Sequence, residues 1–250
     1  MYAFSYSQPG SVNAAVAELA NEDAKALAGG QTLIPTLKQR LASPSALVDL
    51  GGLKELSGVS RDGDSLVIGA LTRHVAVATS DVVKGAIPAL AALAAGIGDP
   101  AVRNRGTIGG SIANDDPAAD YPAGALALGA TIVTDKRSIA ADDFFKGLFE
   151  TALEPAELIT SVRFPIPQKA AYVKFPNPAS RYALVGVFVA KTAAGVRVAV
   201  TGAGSSGVFR VPAFEQALSA NFRLPRSMAS RSTRASSPAT STPTATIAPT

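Results

Sequence analysis

Apolar positions along this chain fall into short runs whose period changes repeatedly. Phe4–Ser7 reads as a short strand leading into the turn Gln8-Pro9-Gly10. Ser11–Ala20 has helical spacing, with Ser11 placed to cap it. Lys25–Ala28 is a short strand stopped by Gly29-Gly30, Leu33–Gln39 opens a helix, and Ala46–Asp49 is another strand. Residues 1–52 are therefore predicted to form a small β-α-β-α-β unit.

Leu53–Val59 and Ser65–Gly69 are strand-like, with Arg61-Asp-Gly-Asp as the turn between them. Val75–Ser80 and Pro88–Ala95 have helical spacing; the second is apolar all round and reads as a core helix. Asp99–Asp120, rich in Gly, Asn and Asp, shows no strong period and is predicted to be a long loop of the kind that usually carries function. A helix at Ala123–Gly129, a strand at Thr131–Thr134, a helix at Asp142–Phe149 and a strand at Glu157–Phe164 follow. Beyond Pro165-Ile-Pro, the runs Ala171–Phe175, Leu184–Lys191 and Val196–Gly202 predict a three-stranded antiparallel meander, with a helix at Pro212–Ser219 on one face.

Composition narrows the chemistry. Of 250 residues, 47% are hydrophobic and 17% charged, enough for a substantial core. The chain has no cysteine, which excludes disulfides, iron–sulfur clusters and zinc–thiolate sites within it and fits a reducing compartment. The start lacks the basic and apolar segments of a signal peptide. Uncharged runs such as Ile87–Gly98 fall short of the roughly 20 residues a membrane helix needs. The expectation is a soluble, cytoplasmic protein. The net charge of +4 comes from Arg223, Arg226, Arg231 and Arg234; without these four the 23 basic residues match the 19 acidic ones. The body thus has no basic excess for nucleic acid.

Two glycine-rich segments carry the candidate chemistry. Ala28-Gly29-Gly30-Gln31-Thr32 lies between a strand and a helix, where glycines allow close backbone approach and a helix start offers free N–H groups. The segment fits a phosphate cradle, but taken by itself it fits an ordinary strand-to-helix turn better. It is not a G-x-G-x-x-G fingerprint. The second segment, Arg105-Gly-Thr107-Ile108-Gly109-Gly110-Ser111-Ile-Ala-Asn114, adds hydroxyls to glycines, and Asp120 beyond it can accept hydrogen bonds from sugar-like hydroxyls. His74, the single histidine, has no partner for a triad or metal site and is assigned a structural role. Asp115 and Asp116 are read as loop-ordering groups, not a metal pair.

Together these segments resemble the two flavin loops of the FAD-binding (medium) subunit of molybdenum hydroxylases, the family of the carbon monoxide dehydrogenase medium subunit and the xanthine dehydrogenase FAD subunit. Supporting stretches occur in order: Val48-Asp-Leu-Gly-Gly-Leu, Ile68-Gly-Ala-Leu-Thr-Arg-His, Asp115-Asp-Pro-Ala-Ala-Asp-Tyr-Pro, Glu157-Leu-Ile-Thr and Tyr182-Ala-Leu-Val-Gly-Val. The resemblance runs from Met1 to about Phe222. It implies an α+β fold: a two-lobed FAD-binding domain of the vanillyl-alcohol oxidase/PCMH type over 1–167 (lobes 1–52 and 53–167), then a small C-terminal domain over 168–222. It implies FAD as cofactor, with Ala28, Gly29, Gly30, Gln31 and Thr32 at the diphosphate. Thr107, Ile108, Gly109, Gly110 and Ser111 would lie along the flavin and ribityl chain, Asp120 as an acidic contact, Ile159 as an aliphatic one and Tyr182 close to the isoalloxazine ring. It implies two partners, a molybdopterin-containing large subunit and a [2Fe–2S] small subunit, with this chain relaying electrons to an external acceptor and holding no catalytic residue or metal of its own. The substrate is chosen in another subunit. The rivals are a stand-alone FAD-dependent oxidoreductase, for which the chain is short, and a non-catalytic FAD-binding domain. An iron–sulfur-containing benzoyl-CoA reductase type is disfavoured by the missing cysteines.

From Asn221 onward Ser, Thr, Ala, Pro and Arg dominate, the composition of an aberrant or disordered tail at 223–250. With GC-rich codons, Ala245–Thr250 read two bases later gives Asp-Tyr-Arg-Ala-His, a pattern the family carries near its end. A frameshift after about Phe222, leaving the C-terminal domain incomplete, is the expectation. A third-base pattern in the DNA that continues unshifted to the stop codon would overturn it.

Overall fold

The computed structural model describes residues 1–222, so expectations for the tail lie outside the described residues. The first lobe holds β1 (Ser5–Ser7), α1 (Val12–Leu19), β2 (Ala24–Leu27), α2 (Leu33–Lys38) and β3 (Ala46–Asp49), with a parallel sheet in the order β1-β3-β2. The Ser11 hydroxyl caps α1 by accepting the Ala14 N–H at 3.2 Å.

The strand expected at Leu53–Val59 is replaced at its start by two 3₁₀ turns, Leu50–Gly52 and Lys54–Leu56. Leu50, Leu53 and Leu56 recur every third residue, the 3₁₀ period, and all three are buried in a small core with Ala15, Val48 and Leu158.

The second lobe is an antiparallel sheet, β4-β5-β10-β6-β7, flanked by helices. Its elements are β4 (Val59–Asp62), β5 (Ser65–Gly69), α3 (His74–Thr79), α4 (Asp81–Ala86), α5 (Pro88–Ala95), α6 (Pro100–Arg103), α7 (Ile108–Asn114), α8 (Asp120–Leu128), β6 (Thr131–Thr134), β7 (Ser138–Ala140), α9 (Ala141–Phe144), β8 (Phe145–Gly147), β9 (Glu150–Thr151) and β10 (Ile159–Pro165). The predicted long loop is therefore interrupted by α6 and α7. Asp99 and Thr107 start them, their side chains accepting N–H groups of Val102 at 2.9 Å and Gly110 at 3.2 Å. The predicted helix Asp142–Phe149 is one turn followed by a hairpin, because Phe149 takes a left-handed φ of 56°.

The C-terminal region comprises β11 (Lys169–Pro176), β12 (Ala183–Thr192), β13 (Gly195–Thr201), β14 (Phe209–Arg210) and α10 (Pro212–Ala220). Its antiparallel sheet has four strands, not three; β14 has two residues, too few for alternation to reveal it. The large core joins this sheet to the second lobe. Phe188, Ala190 and Ala199 are buried with Leu90 and Leu93 of α5, Ile108 and Ile112 of α7, and Val162 and Phe164 of β10. Among the described residues, no helix is long and apolar enough to cross a membrane.

Candidate functional site

The two glycine loops meet. A Cβ on Gly29 would fall on the Arg105 carbonyl oxygen and lie 2.7 Å from Gly106 Cα, so the first loop touches the backbone of the second. Gly30 has φ of 71°, which favours glycine there. Gly109 packs on Ala70, where a Cβ would come within 2.6 Å of the alanine Cβ. Beside these contacts opens a cavity of about 780 Å³, in the range of small-molecule and cofactor sites.

Ala28, Gly29, Gly30, Gln31, Thr32, Thr107, Gly109, Gly110, Ser111, Asp120, Ile159 and Tyr182 all line this cavity. Ile108 does not: it is fully buried in the large core, and its N–H donates to the Thr72 carbonyl at 3.1 Å. It begins α7, so Ile108 and Ile112 share the inward face at helical spacing while Gly110 and Ser111 face the cavity.

The loops differ in what they offer an anion. The second is spent: Gly109 N–H donates to the Ala70 carbonyl at 2.8 Å and Gly110 N–H to the Thr107 hydroxyl. In the first, the N–H groups of Gly30, Gln31, Thr32 and Leu33 have no protein acceptor among the described residues. Four free donors on a glycine turn entering a helix form an anion nest.

His74 lines the cavity and braces the second loop. Its backbone N–H donates to the Gly106 carbonyl at 3.0 Å, and its ring lies 5.3 Å from that of Tyr121. Burial, with Arg103 adding, pushes its pKa down to about 4, so the imidazole is neutral. Tyr182, 47% exposed, forms part of the wall; partial burial, then Asp116 and Asp120, raise its pKa and keep the phenol protonated. Asp120, the first residue of α8, is buried and ion-paired with Lys174 at 2.9 Å. Burial raises its pKa, opposed by hydrogen bonds from Tyr172 and Lys174.

Two features escaped the sequence pattern. The segment Leu153–Leu158, leading into the expected Ile159, forms a wall of the cavity and is pinned by Glu157. Its carboxylate accepts bonds from Arg137 Nε and Nη2 at 3.0 Å each, the Thr134 hydroxyl at 2.7 Å and the Glu154 N–H at 2.8 Å. Tyr172 and Lys174 are the second; their only signal was a polar pair at alternate positions of the strand, on its inward face.

Asp115 caps α7 in the left-handed conformation, φ 42°, with both carboxylate oxygens buried and without a partner among the described residues. Burial, aided by Asp116, pushes its pKa up to about 7 from an ordinary 3.8. The unfolded chain therefore loses this proton first, and ionisation destabilises the fold increasingly as pH rises from about 4 to 7. Asp115→Asn is expected to stabilise the protein at pH 8 by roughly 1–2 kcal/mol, after discounting the buried amide it introduces. Thermal unfolding should show the gain shrinking toward pH 4; a gain equal at both pH values would refute this account.

A family model described as the FAD binding domain in molybdopterin dehydrogenase matches residues 2–167. The chain belongs to this family. FAD is its cofactor, and it is an oxidoreductase subunit. It is 39% identical over 218 residues to the carbon monoxide dehydrogenase medium chain of Afipia carboxidovorans, covering 84% of this chain and 76% of that one. It is 42% identical over 194 residues to the glyceraldehyde dehydrogenase medium chain of Sulfolobus acidocaldarius, covering 75% and 69%. Among solved structures, the Cu,Mo-CO dehydrogenase superposes with a TM-score of 0.82 at 35% identity, covering 88% of this chain and 82% of that one. The quinoline 2-oxidoreductase of Pseudomonas putida 86 does so at 0.78 and 35%, covering 83% and 76%. The residues of this FAD subunit fit the cofactor: free N–H donors in the first loop suit a diphosphate, the glycines leave no Cβ between the loops, and the cavity wall supplies hydroxyls and a carboxylate.

Proposed function

We propose that this chain is the flavin relay of a three-part molybdenum hydroxylase, standing between a [2Fe–2S] small subunit and an external acceptor, with a molybdopterin-containing large subunit acting on the organic or gaseous substrate. The observation that carries the reading is the cavity lined both by Gly30–Leu33, whose N–H groups have no acceptor among the described residues, and by Asp120 and Tyr182. In it FAD, when bound, supplies a two-electron store that exchanges electrons singly with iron–sulfur clusters and in pairs with other acceptors. Gly30, Gln31, Thr32 and Leu33 bind the diphosphate through backbone N–H groups. Thr107 and Ser111 present hydroxyls toward the ribityl side, Gly109 and Gly110 keep the wall thin, and Ile159 supplies an apolar contact. Tyr182 covers the isoalloxazine and excludes water. Residues 1–167 form the flavin unit, in lobes 1–52 and 53–167, and residues 168–222 a C-terminal unit. The chain works in the cytoplasm, in keeping with its lack of cysteine.

The test is reconstitution with the two partner subunits. Adding the complex's reducing substrate should bleach the flavin absorbance of the assembled enzyme and leave that of the isolated chain unchanged. Bleaching of the isolated chain by the organic substrate would instead establish a stand-alone oxidoreductase.

A further inference from the structure

Asp120 is held from outside the loops that surround it. β11 and β12 pair antiparallel, with Tyr172 opposite Phe188 and Lys174 opposite Gly186. Tyr172 and Lys174 sit on the inward side of β11, toward α5 and α8. The Tyr172 hydroxyl donates to Asp120 Oδ1, and Lys174 Nζ donates to Asp120 Oδ2 at 2.9 Å and to the Gly96 carbonyl at 3.1 Å. The ion pair is almost dry, with side-chain exposures of 9% for Lys174 and 5% for Asp120. The phenol ring rests on Phe188, 5.9 Å between centroids. Its hydroxyl has room because residue 186 is glycine: a Cβ there would fall on that oxygen and lie 2.9 Å from Thr201 Cγ2. Gly186 has no left-handed φ, so space, not backbone conformation, is what glycine provides.

Stability does not account for this arrangement. A buried ion pair seldom stabilises a fold more than apolar side chains of the same volume, because desolvation offsets the attraction. What the arrangement does is saturate one acceptor position on each Asp120 oxygen and balance its charge, leaving the remaining lone pairs for the cavity that Asp120 lines. We propose that Tyr172 and Lys174 are positioning residues for the flavin: they reach from the C-terminal sheet, through the gap left by Gly186, to fix the Asp120 carboxylate and neutralise it. The proposal rests on the reading that Asp120 faces bound FAD. It makes the C-terminal sheet part of the flavin site, although neither Tyr172 nor Lys174 lines the cavity.

The electrostatic consequence has a sign. Losing a donor to Asp120 leaves more negative charge beside the flavin and disfavours adding electrons to it. Losing the carboxylate leaves the Lys174 ammonium uncompensated and favours it. The test uses the full-length chain loaded with FAD, measuring midpoint potential, FAD dissociation constant and melting temperature of the apoprotein. Tyr172→Phe is expected to lower the potential and weaken FAD roughly three- to tenfold. Lys174→Gln and Gly186→Ala should lower the potential as well, the latter by displacing the Tyr172 hydroxyl while leaving Tyr172 itself chemically intact. Asp120→Asn should raise it. A structural role alone would move the melting temperature and leave the potential in place. If Asp120→Asn shifts the potential while Tyr172→Phe, Lys174→Gln and Gly186→Ala do not, the positioning proposal is overturned. If Asp120→Asn leaves it unchanged, the placement of Asp120 at the flavin fails, and the proposal with it. Should Tyr172→Phe not yield folded protein, Lys174→Gln and Gly186→Ala decide on the same readout.

Discussion

Gly29→Val is expected to reduce FAD affinity at least ~100-fold, about 2.7 kcal/mol of binding free energy. A Cβ at this position meets the Arg105 carbonyl oxygen and stands 2.7 Å from Gly106 Cα. Both are backbone atoms, so no rotamer change relieves the clash, and the loops must separate. Separation moves the free N–H groups of Gly30–Leu33 away from the wall built by Thr107–Ser111, and a displacement of about 1 Å is enough to lose most of an aligned set of hydrogen bonds. Gly85→Ala is the matched control. Nothing lies within 4 Å of a Cβ there, the residue is in the exposed interior of α4, and helix propensity favours alanine. It should bind FAD like the parent protein. A fluorescence titration of both variants settles the matter, and a change under tenfold for Gly29→Val would contradict the loop contact.

Glu157→Ala is expected to destabilise the fold by about 2–3 kcal/mol, or roughly 5–10 °C in melting temperature. The carboxylate accepts four hydrogen bonds, two of them a fork from Arg137. Truncation strands the Glu154 N–H beside a guanidinium that is itself 43% exposed and keeps its bond to the Ala152 carbonyl at 2.7 Å, while the Thr134 hydroxyl retains the Arg137 carbonyl at 3.0 Å as acceptor. The same bonds set a pH dependence. The Arg137 fork first, with the Glu154 N–H and Thr134 hydroxyl behind it, overcomes desolvation and holds the Glu157 pKa near 2, against an ordinary 4.5. A depressed carboxyl pKa contributes stability in full above about pH 4.5 and loses it as pH falls toward 2. Glu157→Gln should therefore flatten the acid limb of the stability curve over that window. Equal acid sensitivity in parent and Glu157→Gln would show that the fork does not form. Because Leu153–Ile159 walls the cavity, Glu157→Ala should also weaken FAD.

The sequence disclosed the elements whose period is unmixed. The first lobe emerges as a β-α-β-α-β unit because its strands and helices are separated by glycine, proline and capping residues, and α5 because it is apolar all round. It concealed α6, a single turn of four residues too short to show a period, and α7, whose Gly109, Gly110 and Asn114 have poor helix propensity. Those helices exist because Asp99 and Thr107 cap them and, for α7, because the Thr72 and Ala70 carbonyls accept its first two N–H groups. The same oversight misplaced Ile108: within a loop it counts among its neighbours, but at the start of a helix it faces the core. The two cavity loops were legible because glycines and hydroxyls are concentrated there and resemble a known pair. Tyr172, Lys174 and the Arg137–Glu157 fork were not, because their partners lie 20 to 54 residues away and only the tertiary fold brings them together.

The central claim is that this chain holds FAD in the cavity between its two glycine loops. The direct measurement is a titration of the purified full-length chain, stripped of flavin, with FAD and in parallel with riboflavin, followed by flavin fluorescence and absorbance. The account predicts saturable binding of one FAD per chain and far weaker binding of riboflavin, which lacks the diphosphate that the Gly30–Leu33 N–H groups receive. FAD and riboflavin binding equally well, or neither binding, would contradict it.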